Sequence, residues 1–167
     1  PTSAESSSCP FCVALCTRFI TDVLSPEKLK SRGLPSIRGF GNLYFVGSAL
    51  ASTHIIDTGD GLIMLDSGYQ ESLYLVLENM RKLGLNPAHI QYVLHTHGHI
   101  DHCGASMALK QLYGCKLAIG ERDKEYVNGT LDLSYANELD LTYIPFEADI
   151  LLHDGDVITL GNTSVRA

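Results

Sequence analysis

Apolar and polar positions recur along this chain with more than one period, and each period predicts a different element. Between residues 11 and 23, Phe11, Cys12, Leu15, Cys16, Phe19, Ile20 and Val23 return at helical spacing, with Thr17, Arg18, Thr21 and Asp22 opposite. That predicts one amphipathic helix. Short strand-like runs follow at 43–46, 53–57 and 62–66, and the Thr58-Gly59-Asp60-Gly61 cluster joins the last two as a hairpin. Leu73, Val76, Leu77, Met80 and Leu83 restore the helical period over 70–83, with Gly84 and Pro87 placed to end it. The pattern then reads as a strand at 90–94, a helix at 105–113 closed by Gly114, a strand at 115–119 and a short helix at 121–127.

Other stretches are less periodic. Residues 1–10 form a polar, serine-rich start and are expected to be disordered. The breakers Ser25-Pro26 and Gly33-Leu34-Pro35 make 25–40 a connection, so that 11–40 reads as helix plus linker and the domain proper as 41–167. Residues 130–149 read as a long surface loop with a helical turn. A turn at Asp154-Gly155-Asp156 leads into a strand at 157–160, and Gly161-Asn162 turns it into a last strand, 163–167, which stops in mid-run.

The totals narrow the class. A chain of 167 residues suits one domain with a core, and 45% hydrophobic against 19% charged residues is a globular composition. A net charge of -7, with 12 basic residues against 19 acidic ones, argues against nucleic acid as a partner. No apolar run approaches the roughly 18 residues of a membrane span, so no membrane partner is expected. Five cysteines, an odd count, favour a reducing compartment, and no signal peptide pattern is visible; the cytoplasm is the expected location. Cys9 and Cys12 have the spacing of half a zinc ribbon or a redox pair, but no second such pair follows; Cys12 and Cys16 read as small core-facing residues.

The chemistry concentrates in one stretch, His95-Thr96-His97-Gly98-His99-Ile100-Asp101-His102-Cys103, directly after the apolar run 90–94. Four histidines and a carboxylate in eight residues are the makings of a metal site. In extended chain His97, His99 and Asp101 would share one side, provided the backbone leaves the strand without coiling. His102 breaks the alternation, which suits a loop feeding two neighbouring ions. His95 reads as a hydrogen-bonded core histidine or, alternatively, as a donor that orients a ligand or carboxylate; Cys103 reads as the core-facing start of the next helix or as a thiol beside the metal, a ligand or an oxidation-sensitive neighbour; and Asp66 reads as a strand-end aspartate.

Thr96-His97-x-His99-x-Asp101-His102 resembles the signature of the metallo-β-lactamase-fold hydrolases. The stretches 42–47, 58–68, 114–117 and 154–161 look most like the third subclass of metallo-β-lactamases. The resemblance implies an α/β (α+β) fold, the αββα sandwich, of which 41–167 would be the N-terminal half. It implies that His97 and His99 serve a first zinc site, Asp101 and His102 a second, and that Asp66 lies below the metals and helps hold the ligand loop. Two Zn²⁺ ions about 3.5–4 Å apart would share a hydroxide, since bound water has its pKa lowered to about 7. Asp101 would orient this nucleophile for attack on a carbonyl, such as that of a β-lactam, in a small-molecule substrate.

Family members carry further histidines beyond the region matched here, the next after a Pro-Gly step following the strand at 163–167. His153 precedes the 154–156 turn and does not substitute for them; it is expected in a core or surface role. With two ligands per zinc from this stretch, weak metal affinity and little hydrolysis by the chain alone are expected. A half sandwich would expose one sheet face, which predicts self-association. A lactonase or thioesterase of the same fold, or a non-catalytic metal-binding half-domain, are the competing readings.

Overall fold

The structure is a computed structural model that describes residues 37–38, 41–131, 135–137 and 139–167. The described residues belong to one compact unit, Gly33–Ala167. The polar start and the helix expected over 11–23, with Cys9, Cys12 and Cys16, lie outside the described residues.

Seven strands form one sheet in sequence order: β1 (Ile37–Arg38), β2 (Leu43–Phe45), β3 (His54–Asp57), β4 (Leu62–Leu65), β5 (Ile90–Leu94), β6 (Lys116–Gly120) and β7 (Ile150–Leu152). The first four pair antiparallel through short turns, including the expected β3–β4 hairpin. From β4 onward pairing is parallel, which requires longer crossovers. Helices supply them. α1 (Leu73–Lys82) joins β4 to β5, and α2 (Ile100–Cys103) and α3 (Ser106–Tyr113) join β5 to β6. The short α4 (Lys124–Val127) follows β6, and an antiparallel pair, β8 (Val157–Leu160) and β9 (Thr163–Arg166), closes the described chain.

The two sheet faces are covered differently. On one, Ile55, Met64, Val93, Leu117 and Ile119 share a fully buried core with Val76 and Met80 of α1 and Leu109 of α3. Burying each such side chain stabilises the fold by about 1.5–3 kcal/mol. On the other, Ile63, Leu94 and Ala118 are buried while Tyr92, Ile150 and Leu152 stay half-exposed beside Ile158, Leu160 and Val165 of the β8–β9 pair. Helices, a mixed sheet and a two-stranded piece on its far face make an α/β fold of the expected layering.

Three details differ from the pattern. Ile37–Arg38, placed in the connection, pairs with β2 and belongs to the sheet. The expected helix at 121–127 is a 3-10 turn, Glu121–Asp123, running into α4. Residues 130–149 are more than surface loop: Ala136 and Phe146 are buried, the Tyr143 hydroxyl donates to the Val127 carbonyl at 2.7 Å, and the Phe146 amide donates to the same oxygen at 3.0 Å. Their spacing follows no helix or strand period, because each anchor answers to a neighbouring element. The stretch then enters β7, which the pattern did not show.

Candidate metal centre

The centre is built at the end of β5. Three backbone bonds fix how the chain leaves that strand: the Asp66 amide donates to Leu94 O at 2.9 Å, the His95 amide to Ala118 O at 2.9 Å and the Ser67 amide to His102 O at 2.7 Å. Asp66 itself is buried and has φ of 56°, the left-handed region that few residues other than glycine, asparagine and aspartate tolerate. That turn aims its carboxylate across the strand ends. Oδ1 accepts the Thr96 amide at 2.8 Å, while Oδ2 accepts the Thr96 hydroxyl and the His102 Nδ1–H, each at 2.9 Å.

The chain does coil, at Ile100, so the extended alternation is lost after His99. His97, Asp101 and His102 thereby converge: among the described residues they form a group whose donor atoms all lie within 4.8 Å of one another. The His97 and His102 rings are 3.9 Å apart between centroids, and His102 Nε2 is 3.2 Å from Asp101 Oδ2. His99 falls outside this group. Its ring lies edge-on to His97 at 4.6 Å and to Tyr135 at 4.9 Å. In the metal-free chain His97, Asp101 and His102 thus form one group with His99 beside it, and all four expected ligands lie in the same loop. Gly98 between the histidines is buried, and a Cβ there would lie 2.8 Å from Tyr126 Cβ; only glycine lets the loop pass this close to α4.

Charge follows the same division. Burial pulls the His102 imidazole down, but hydrogen bonds and charge from Asp101 and Asp66 outweigh it and raise its pKa to about 9. Burial pushes Asp66 and Asp101 up, yet the bonds they accept and the His102 charge leave both below the ordinary carboxylate value. Burial pulls His97 and His99 below the ordinary histidine value, and the neighbouring His102 charge adds to this. The triad thus holds a neutral imidazole and an ionised carboxylate, both ready donors, beside an imidazole whose proton a cation would displace. Two imidazoles and a carboxylate are a zinc donor set, so these residues fit the implied metal.

His95 faces the other way. It is 6% exposed, and burial pulls its pKa down, keeping the ring neutral. Nδ1–H donates to Ala118 O at 2.8 Å, and Nε2 lies 2.6 Å from the Ser106 hydroxyl, in line with the reading of a core histidine. Cys103 is also buried, but it ends α2 where the pattern had it starting the next helix. Its thiol donates to Gly98 O, and burial raises its pKa to about 12, which leaves it a poor ligand. His153 is on the surface, paired with Glu121 Oε2 at 2.9 Å and Asp156 Oδ2 at 3.4 Å.

Three residues that hold the loop had no role in the sequence reading: Thr96, Ser67 and Ser106. Ser106 left a trace, since it precedes Leu109 by three on the inward face of α3, and a buried hydroxyl demands a partner. Ser67 and Thr96 left none beyond their place beside Asp66 and His97.

The family model of the metallo-beta-lactamase superfamily matches residues 47–167. Among solved structures, a subclass B3 metallo-beta-lactamase of Bradyrhizobium japonicum is 30% identical with a TM-score of 0.77, over 85% of this chain and 54% of that one. A class B3 di-zinc metallo-beta-lactamase from an Alaskan soil metagenome is 30% identical with a TM-score of 0.76, over 86% and 54%. A beta-lactamase from Chitinophaga pinensis is 32% identical with a TM-score of 0.73, over 87% and 55%. An uncharacterized protein of Aquifex aeolicus is 25% identical over 109 residues, 65% of this chain and 47% of that protein. The chain thus spans about half the length of the relatives it matches.

Proposed function

The chain belongs to the metallo-beta-lactamase superfamily, and from that premise we propose that it carries the ligand loop of a zinc-dependent hydrolase acting on a small-molecule carbonyl compound, a β-lactam foremost. The observation that supports this most is the convergence of His97, Asp101 and His102 within 4.8 Å. These three would hold a zinc ion, with His99 next to them as a further donor for a second one. Catalytic zinc usually takes three protein ligands and keeps one position open. Bound there, zinc supplies Lewis acidity, bringing the pKa of water down to about 7 and polarising a carbonyl.

The chain's own residues have distinct tasks. Asp101, kept ionised by His102, accepts a hydrogen bond from the attacking water and orients it. Asp66 fixes the His102 ring, because its carboxylate accepts the hydrogen bond of Nδ1–H and leaves Nε2 to face the site. Thr96, bound twice to the same carboxylate, sets the loop's departure angle. The di-zinc class of one relative supports the choice of metal, and the beta-lactamase names of several support the choice of substrate.

Titration calorimetry of the full chain with zinc tests the first half of this; binding of an ion that Asp101→Asn weakens is expected, and a chain that takes up no zinc overturns it. A chromogenic cephalosporin tests the second. Slow ring opening by the zinc-loaded protein, in keeping with the little hydrolysis expected of this stretch alone, that chelation abolishes is the expected result. An intact cephalosporin in the presence of bound zinc removes the β-lactam and leaves a lactone or thioester as the substrate.

A further inference from the structure

Below the ligand loop, buried hydroxyls and one imidazole are joined in a hydrogen-bonded chain. Ala118 O can only accept, so the His95 ring proton sits on Nδ1, and Nε2 of the neutral ring is an acceptor. Ser106 must then donate its one proton to Nε2, at 2.6 Å. Its oxygen lies 2.9 Å from the Ser67 hydroxyl, which has both Ser106 Oγ and, at 3.2 Å, His102 O as acceptors, and Ser67 Oγ accepts the Ala105 amide at 3.2 Å. Ser67 and Ser106 are fully buried.

These groups bracket the loop. His95 is the residue before Thr96, where the loop begins, and Ala105 and Ser106 follow its last turn. Ser67 adjoins Asp66, so two neighbouring residues of one turn hold the loop from opposite sides: Asp66 grips Thr96 and His102 on the side of the triad, and Ser67 grips His102 O, Ala105 and Ser106 on the side of the core. The distance between the two ends of the loop is set by the core-side network.

We propose that His95, Ser106 and Ser67 are positioning residues that set the placement of His97, Asp101 and His102, with His95 acting on the site through the backbone and never as a ligand. The role deepens the metal-site reading and is conditional on it where metal is concerned. Removing one hydroxyl leaves a buried acceptor without its donor and frees the loop ends to shift.

Ser106→Ala, Ser67→Ala and Ser106→Thr in the full chain test this, with cobalt(II) as probe and the metal-free amide resonances of 97–102 as an independent readout. Both alanine variants are expected to move those resonances and to weaken cobalt binding about tenfold with an altered visible spectrum. Ser106→Thr keeps the hydroxyl and is expected to restore both. Loop resonances and cobalt affinity unchanged in the alanine variants overturn the proposal, as does a loss of thermal stability with the loop resonances in place. If the parent chain binds no cobalt, the metal reading fails, and the network is judged on the metal-free resonances: shifts in both alanine variants uphold it, and their absence overturns it.

Discussion

His95 and His102 belong to one loop, seven positions apart, and burial pulls on both in the same direction, yet they end in opposite charge states. His95 meets a carbonyl and a hydroxyl, so burial wins and the ring stays neutral. His102 meets two carboxylates, and their hydrogen bonds and charge outweigh burial and raise its pKa to about 9. The partner decides between them, because a neutral acceptor offers the charged ring little while an anion compensates its desolvation. One side of the loop is thus a neutral brace and the other a charged, exchangeable site.

Asp66→Asn is the strongest way to break this contrast. It removes the anion that orients His102 and anchors Thr96, so zinc affinity is expected to fall about 10–100-fold by calorimetry. In the same variant the His102 pKa, followed by NMR, should drop from about 9 toward the ordinary value.

Replacing ligands in turn comes next. His97→Ala is expected to cost zinc affinity more than His99→Ala, since His97 is within the triad and His99 beside it. Equal losses would put His99 among the ligands of the same ion.

The metal-free chain should show the two histidines as two arms of a pH profile. The His102 pKa is raised above the ordinary 6.5, so its contribution to stability is full below 6.5 and is lost as pH rises through about 9. The His95, His97 and His99 values are lowered, so the unfolded chain binds the extra protons and stability falls as pH drops below 6.5. The lowered Asp66 and Asp101 add to the acid loss, their contribution present above 3.8 and disappearing as pH falls through their own values. Urea midpoints should therefore peak near 6.5, and His102→Gln should flatten the alkaline arm and, because the His102 charge helps lower His97, His99, Asp66 and Asp101, weaken the acid arm as well.

His153→Ala is the smallest. Its partners, Glu121 and Asp156, are exposed carboxylates, and such pairs contribute little. Zinc binding and the urea midpoint are expected to stay unchanged.

Much of the fold was legible because local periods are honest where an element buries one face. The β3–β4 hairpin, α1 and its end near Gly84, β5 and the β8–β9 turn all follow from spacing and turn residues. β7 was hidden: three residues are too few to show alternation, and the strand is held by β6 and by Asp149, whose carboxylate accepts the Leu117 amide at 2.8 Å and Lys110 at 2.7 Å. The buried anchors in 130–149 were hidden for the same reason.

At the loop, sequence alone marked the candidate ligands, because few other arrangements use four histidines and an aspartate after a buried strand, and the family resemblance pointed to Asp66, whose carboxylate holds Thr96 and His102. Sequence did not determine which donors converge. Extended chain would have grouped His97, His99 and Asp101; a turn of helix at Ile100, pinned by the His102 and Cys103 amides donating to His99 O, turned His102 inward and left His99 aside. Nor could spacing show that Ser67 and Ser106, distant in the chain, meet at 2.9 Å beneath the loop. Residue type is a local property, whereas the direction of a side chain and the charge it carries belong to whatever the fold packs against it.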